Sequence, residues 1–62
     1  MNWKDWNGKK VFIRTIHDRV YSGIVKDVDY SSPPIIWITL LDKFNMLVQF
    51  TSSEIAQIKE EA

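Results

Sequence analysis

Val20-Tyr21-Ser22-Gly23-Ile24-Val25-Lys26-Asp27-Val28-Asp29, then Tyr30-Ser31-Ser32-Pro33-Pro34, then Ile35-Ile36-Trp37-Ile38-Thr39-Leu40-Leu41: the reading of these residues decides the fold. Residues 20–29 read as a long strand, rich in Cβ-branched side chains that suit a pleated backbone. Gly23 lies inside it, where a missing Cβ marks a sharp bend or a close approach of backbone. Pro33 and Pro34 remove two ladder donors and forbid helix, so Ser31–Pro34 reads as a loop. Residues 35–41 are apolar on both faces, with Ile36, Ile38 and Leu40 on one side and Ile35, Trp37 and Leu41 on the other. Only Thr39 interrupts them, and a strand of that kind is covered twice, by a core and by something else.

Working outward, residues 9–16 alternate as a first strand, with Val11, Ile13 and Thr15 on one side and Phe12, Arg14 and Ile16 on the other. His17-Asp18-Arg19 reads as a hairpin turn and residues 42–45 as another. Met46–Phe50 makes a fourth strand, residues 51–54 a polar turn, Ile55–Lys59 a fifth strand, and residues 60–62 a solvated tail. At the start, residues 1–8 read as a short helical turn closed by Gly8 and capped by Asn2. Trp3 and Trp6, three apart, share one face of it, able to cover an open end of the sheet. The expectation is one domain over residues 1–62, mainly β: a small SH3-like, five-stranded, bent antiparallel barrel behind a short N-terminal helix.

Composition agrees. Val and Ile together number thirteen, against three Leu and two Ala, and three Trp, three Phe and two Tyr favour strands as well. Sixty-two residues rule out two domains and bury only roughly 60% of the unfolded surface, which is marginal without a supplement. With no Cys, neither a disulfide framework nor a thiolate zinc site is available, and oligomerisation is the remaining supplement. No apolar run approaches a membrane span and no cationic-then-apolar leader is present, so the reading is a soluble, cytoplasmic chain without membrane partners. Net charge is zero, but residues 1–26 carry +4 and residues 27–62 carry −4. Such asymmetry makes either one basic and one acidic face, or a mixture if the halves interleave.

Certain residues and the order of elements resemble the Sm-like family (Sm, LSm and Hfq proteins). Gly8-Lys9-Lys10-Val11-Phe12-Ile13 and, after a polar turn, Gly23, Val25, Val28 and Asp29 match the register of its first motif. The resemblance implies an N-terminal helix, five bent strands and a homo-oligomeric ring that binds single-stranded RNA. It also implies that the fourth strand of one copy, Met46–Phe50, pairs with the fifth of the next, Ile55–Lys59. Departures fall on the RNA-contacting positions. The base-recognising Asn is Pro33, the stacking residue is Ser31 with Tyr30 one place early, and the second motif's Arg is Thr51. What is left is a pocket of hydroxyls lacking a cation–π partner and a bidentate amide.

The candidate RNA contacts are therefore Lys9, Lys10 and Arg14 along the backbone, with Asp29, Tyr30, Ser31, Ser32, Thr51 and Ser52 near a base. Lys4 belongs to the same basic group, with Trp3, Trp6 and Phe12 interleaved as in single-strand binders. The alternative is that these lysines are a wet face and the aromatics a dry one. Candidate oligomer contacts are Trp37, whose apolar face beside Ile35 and Leu41 is surplus surface on a small chain, and, on the edge strands that the resemblance implies pair between copies, Met46, Val48, Phe50, Ile55 and Ile58. An aromatic-rich core is the rival account of Trp37. Asp27 and Asp29 point the same way and could hold a cation, but also read as a solvated strand end. His17, the single histidine, reads as exposed turn chemistry. No triad, metal set or phosphate loop is present, so no catalysis, metal or cofactor is expected. The rival function is a protein-interaction or structural module of SH3-like type that binds no RNA.

Overall fold

The computed structural model describes residues 3–61. Their order is a 3-10 turn at Trp3–Trp6, then β1 (Lys10–Thr15), β2 (Val20–Ser32), β3 (Ile35–Asp42), β4 (Leu47–Thr51), a second 3-10 turn at Ser52–Glu54 and β5 (Ile55–Glu60). All five strands form one antiparallel sheet in the order β4-β3-β2-β1-β5. The sheet is open, because β4 and β5 are its two edges and neither pairs with the other.

Strong bending still brings distant parts together. The Tyr21 ring of β2 meets the Phe50 ring of β4 edge-on, centroids 4.9 Å apart, although β3 lies between those strands. At the far side, Ile16 N–H donates to the Glu54 carbonyl, tying the end of β1 to the β4–β5 connection. The concave face holds the core: Val11, Ile13, Val25, Val28, Ile38, Leu40 and Phe50 are buried, with Thr15 beside them. The Thr15 hydroxyl accepts from Arg19 N–H at 3.2 Å, so this buried polar group is satisfied.

Two irregularities shape the sheet. The ladder between β2 and β3 shifts between Val25 and Asp27, leaving Lys26 as an extra residue, and again between Asp29 and Ser32. The first bulge explains why Val25 and Val28, three apart, both face the core. Upstream, Gly8 N–H donates to the Val25 carbonyl while Val25 N–H donates to that of Lys9, so two residues face one. Gly8 sits at φ +83°, the left-handed geometry such a bulge needs.

The hairpin turns follow from local chemistry. Asp18 and Asn45 occupy φ +63° and +66°, the region that Asp and Asn tolerate best among residues with a side chain. Each closes a three-residue loop: Thr15 N–H bonds to the Arg19 carbonyl, and Asp42 N–H to that of Met46. The Asp42 carboxylate also accepts from Phe44 and Met46 N–H, both at 2.9 Å.

Three expectations need correction. The N-terminal helix is a single 3-10 turn of four residues, because left-handed Gly8 ends it before an α-helix can establish its ladder. The cap at Asn2 lies outside the described residues. β2 runs on to Ser32 rather than stopping at Asp29, so the loop shrinks to Pro33-Pro34, joined by a cis peptide bond. Residues 60 and 61 are no free tail: Glu60 ends β5, Glu61 N–H donates to the Lys10 carbonyl, and the Glu61 carboxylate accepts from the Ser22 hydroxyl.

Candidate nucleic-acid interface

Strand pairing sorts the outer, convex side of β2, β3 and β4 into three cross-strand rows. Asp29, Trp37 and Thr51 lie side by side, then Asp27, Thr39 and Gln49, then Ile24, Leu41 and Leu47. Asp29 and Thr51, both singled out as RNA contacts, therefore flank half-buried Trp37. Ser31 and Ser32 are exposed at the adjoining end of β2, and Ser52 follows Thr51 directly.

The polar groups of this row are largely engaged. Asp29 Oδ1 accepts from Ser31 N–H at 2.8 Å, and this bond, with help from the Ser31 side chain, holds its carboxyl below the ordinary 3.8. Glu54 Oε1 accepts from Thr51 N–H at 3.0 Å and from the Thr51 hydroxyl at 2.9 Å, which lowers the Glu54 pKa below its ordinary 4.5. His17 adds a small attraction in the same direction. The Thr51 hydroxyl also lies 3.1 Å from that of Ser53.

Other RNA candidates lie elsewhere. Tyr30 alternates to the opposite side of β2, against the core, with Lys4 Nζ 5.2 Å from its ring centre. Lys10 and Arg14 project from the convex side of β1, opposite Ile24 and Val20, so they sit several residues along β2 from Asp29. Lys9 pairs with Glu60 at 3.7 Å and lies 5.9 Å from the centre of the Trp6 ring. Arg14 pairs with Asp18 at 3.7 Å. The aromatic partners are divided too: Trp3 and Trp6 pack on the core, whereas Phe12 stands on the convex side below Lys59.

The interface candidates divide by side chain and backbone. Phe50 is a core residue, 4% exposed, so its side chain cannot form an intermolecular contact. Val48, Ile55 and Ile58 are half-buried and pack on that core, and Met46 is exposed in the turn before β4. What the edges offer is main chain. The bond from Asp42 N–H to the Met46 carbonyl fixes the alternation on β4, which turns the backbone groups of Leu47 and Gln49 away from β3. By the same alternation from Glu61 N–H to the Lys10 carbonyl, Ile58 and Glu60 turn theirs away from β1.

Two hollows adjoin these elements. One, about 500 Å³, lies between β4 and the β1–β2 hairpin and is lined by residues including His17, Arg19, Tyr21, Gln49 and Phe50. The other, about 250 Å³, lies between Val20–Ser22 and Asp42–Phe44. Among the described residues no three His, Cys, Asp or Glu side chains gather as a metal set, and Asp27 and Asp29 acquire no third donor. Sequence reasoning missed the exposed apolar side chains Ile16, Val20, Phe44 and Leu47. The available signal was their position in or beside polar turns, where an apolar residue has no core to enter. No family model matches the chain, and no curated protein or solved structure is significantly similar to it.

Proposed function

We propose that this chain is an Sm-like, SH3-like barrel protein that assembles into a homo-oligomeric ring. The observation that carries the reading is the strand order, which leaves β4 and β5 as the two outer edges of one bent sheet. Each edge has unpaired main-chain groups, at Leu47 and Gln49 on one and Ile58 and Glu60 on the other. Head-to-tail pairing of β4 with β5 of the next copy satisfies both, removes two aggregation-prone edges and, if the rotation closes, makes a ring. It also supplies the buried area that a 62-residue chain lacks.

RNA is the proposed ligand of that ring, bound weakly, with Lys10 tracking the backbone and a base set against the Asp29–Trp37–Thr51 row. A module that binds protein and no RNA is the second reading. It is favoured by the pairing of Lys9 and Arg14 with carboxylates and by Pro33 and Thr51 at the base-reading positions.

Native mass spectrometry at micromolar concentration tests the assembly. The expected result is one closed oligomer, and a clean monomer overturns the ring. Fluorescence titration with short uridine-rich and adenine-rich RNA at two salt concentrations tests the ligand. Saturable binding that weakens with salt is expected; no binding at low salt transfers the function to the interaction module.

A further inference from the structure

The hollow of about 500 Å³ between β4 and the β1–β2 hairpin has walls that main-chain bonds hold in place. Thr15 N–H donates to the Arg19 carbonyl and the Thr15 hydroxyl accepts from Arg19 N–H, which fixes the turn that carries His17 and Arg19. Ile16 N–H donates to the Glu54 carbonyl at 2.8 Å and ties that turn to the 3-10 turn at Ser52–Glu54. The floor is apolar and aromatic. Val48 is half-buried, Phe50 is buried, and the Tyr21 ring meets that of Phe50 edge-on.

Over this floor stand one full charge of each sign and a histidine. The Glu54 carboxylate is anchored to Thr51 through Oε1, and those bonds favour its ionised form. Its second oxygen, Oε2, takes no hydrogen bond among the described residues. Arg19 is held in its turn by main chain alone, and its guanidinium makes no ion pair among the described residues. Asp18, the neighbour of Arg19, is paired with Arg14 instead.

The balance of charge selects the ligand. A phosphate meets the Glu54 carboxylate, a simple cation meets Arg19, and a wholly apolar molecule strands both groups. A molecule with a carboxylate at one point and an ammonium at another satisfies both through charge-assisted bonds. A flat base fits less well, because the Tyr21 and Phe50 rings stand at 68° to each other and form no parallel slot for stacking.

We propose that this hollow binds a free α-amino acid with an apolar side chain. The Arg19 guanidinium takes the carboxylate in its planar fork, Glu54 Oε2 accepts from the ammonium, and the side chain lies over Val48, Tyr21 and Phe50. At about 500 Å³ the hollow falls within the size range of small-molecule sites. The proposal needs neither the ring nor RNA.

Isothermal titration calorimetry of the whole chain with L-phenylalanine and L-leucine tests it. The comparison ligands are N-acetyl-L-phenylalanine, which lacks the ammonium, L-phenylalanine methyl ester, which lacks the carboxylate, and guanosine. Saturable binding of the free amino acids below about 10 mM is expected, weakened roughly tenfold or more by either block. R19Q is expected to weaken the free amino acids by the same factor and to leave the residual affinity of the methyl ester unchanged, since the lost partner is absent from that ligand. Circular dichroism reports whether this variant keeps its sheet. Amide shifts in NMR spectra should gather at residues 15–21 and 48–54. No saturable binding, blocked ligands that bind as the free ones do, or shifts centred elsewhere overturn the proposal. Guanosine binding where the amino acids do not also overturns it, and assigns the hollow to a nucleobase.

Discussion

The backbone at Gly23 passes so close to the carbonyl oxygen of Leu41 that no Cβ fits between them. A side chain there would also come within 2.7 Å of Asp42 Cα. Both obstacles are main chain of the neighbouring strand, which cannot swing aside as a side chain can. Gly23→Ala is therefore expected to push β2 from β3 at the Gly23–Asp42 pair. A loss above about 3 kcal/mol is expected, well beyond the usual effect of adding one methyl group. Denaturant unfolding monitored by tryptophan fluorescence checks it; a loss under about 1 kcal/mol would show that the strands separate easily.

Ile38 is fully buried on β3, between Val28 of β2 and Phe50 of β4. Ile38→Ala removes contacts to both and leaves a cavity, costing about 2–5 kcal/mol. A single core of this size supplies only about 3–5 kcal/mol in total. The expected outcome is a largely unfolded variant at low concentration, with structure partly recovered as concentration rises. Circular dichroism across a concentration series measures it, because assembly stabilises by mass action.

Asp29 and Glu54 are both held below their ordinary pKa values, chiefly by backbone N–H donors of Ser31 and Thr51. A depressed folded-state pKa means that the unfolded chain binds the proton more readily. Their contribution to stability is accordingly complete above the ordinary values of 3.8 and 4.5, and is lost as pH falls through the folded-state values. Thermal melts from neutral pH into acid are expected to show a falling midpoint on that limb. Glu54→Gln should flatten the fall and lower the midpoint at neutral pH, since an amide is the weaker acceptor. An unchanged slope would remove Glu54 from the account.

Much of this architecture can be read from the residues themselves. Alternation separated Val11, Ile13 and Thr15 from Phe12 and Arg14, as the burial of β1 does, and the missing side chain of Gly23 marked a close approach of backbone. Asp29 closing on the N–H of Ser31 was equally legible, because a short Asp side chain readily bonds its own backbone two residues on. The bulges at Lys26 and Gly8 were not, since period-two alternation assumes that every residue keeps its place in the ladder. The site suffered most from this kind of limit. Lys9, Tyr30 and Arg14 look available in a list of residues, but their partners Glu60, Lys4 and Asp18 are fixed by pairing and turn geometry. The reading of Phe50 as an edge-strand contact between copies fails because the bend carries Tyr21 onto it.

Gln49 offers the sharpest test of the edges. On β4 its neighbours Val48 and Phe50 bond to β3 through their main chain, while the N–H of Gln49 points away from the sheet. Gln49→Pro deletes that outward donor alone and places the proline ring where an incoming strand must lie. Edge strands accept proline at such positions, so the β3–β4 ladder is expected to persist at a cost of about 1 kcal/mol or less. Assembly through β4 should then fail, giving a folded monomer by native mass spectrometry with unchanged far-UV circular dichroism. Val48→Pro is the control, because it removes a donor that β3 uses and should damage the fold itself. Were Gln49→Pro to assemble as the parent does, β4 would not be the surface that joins one copy to the next.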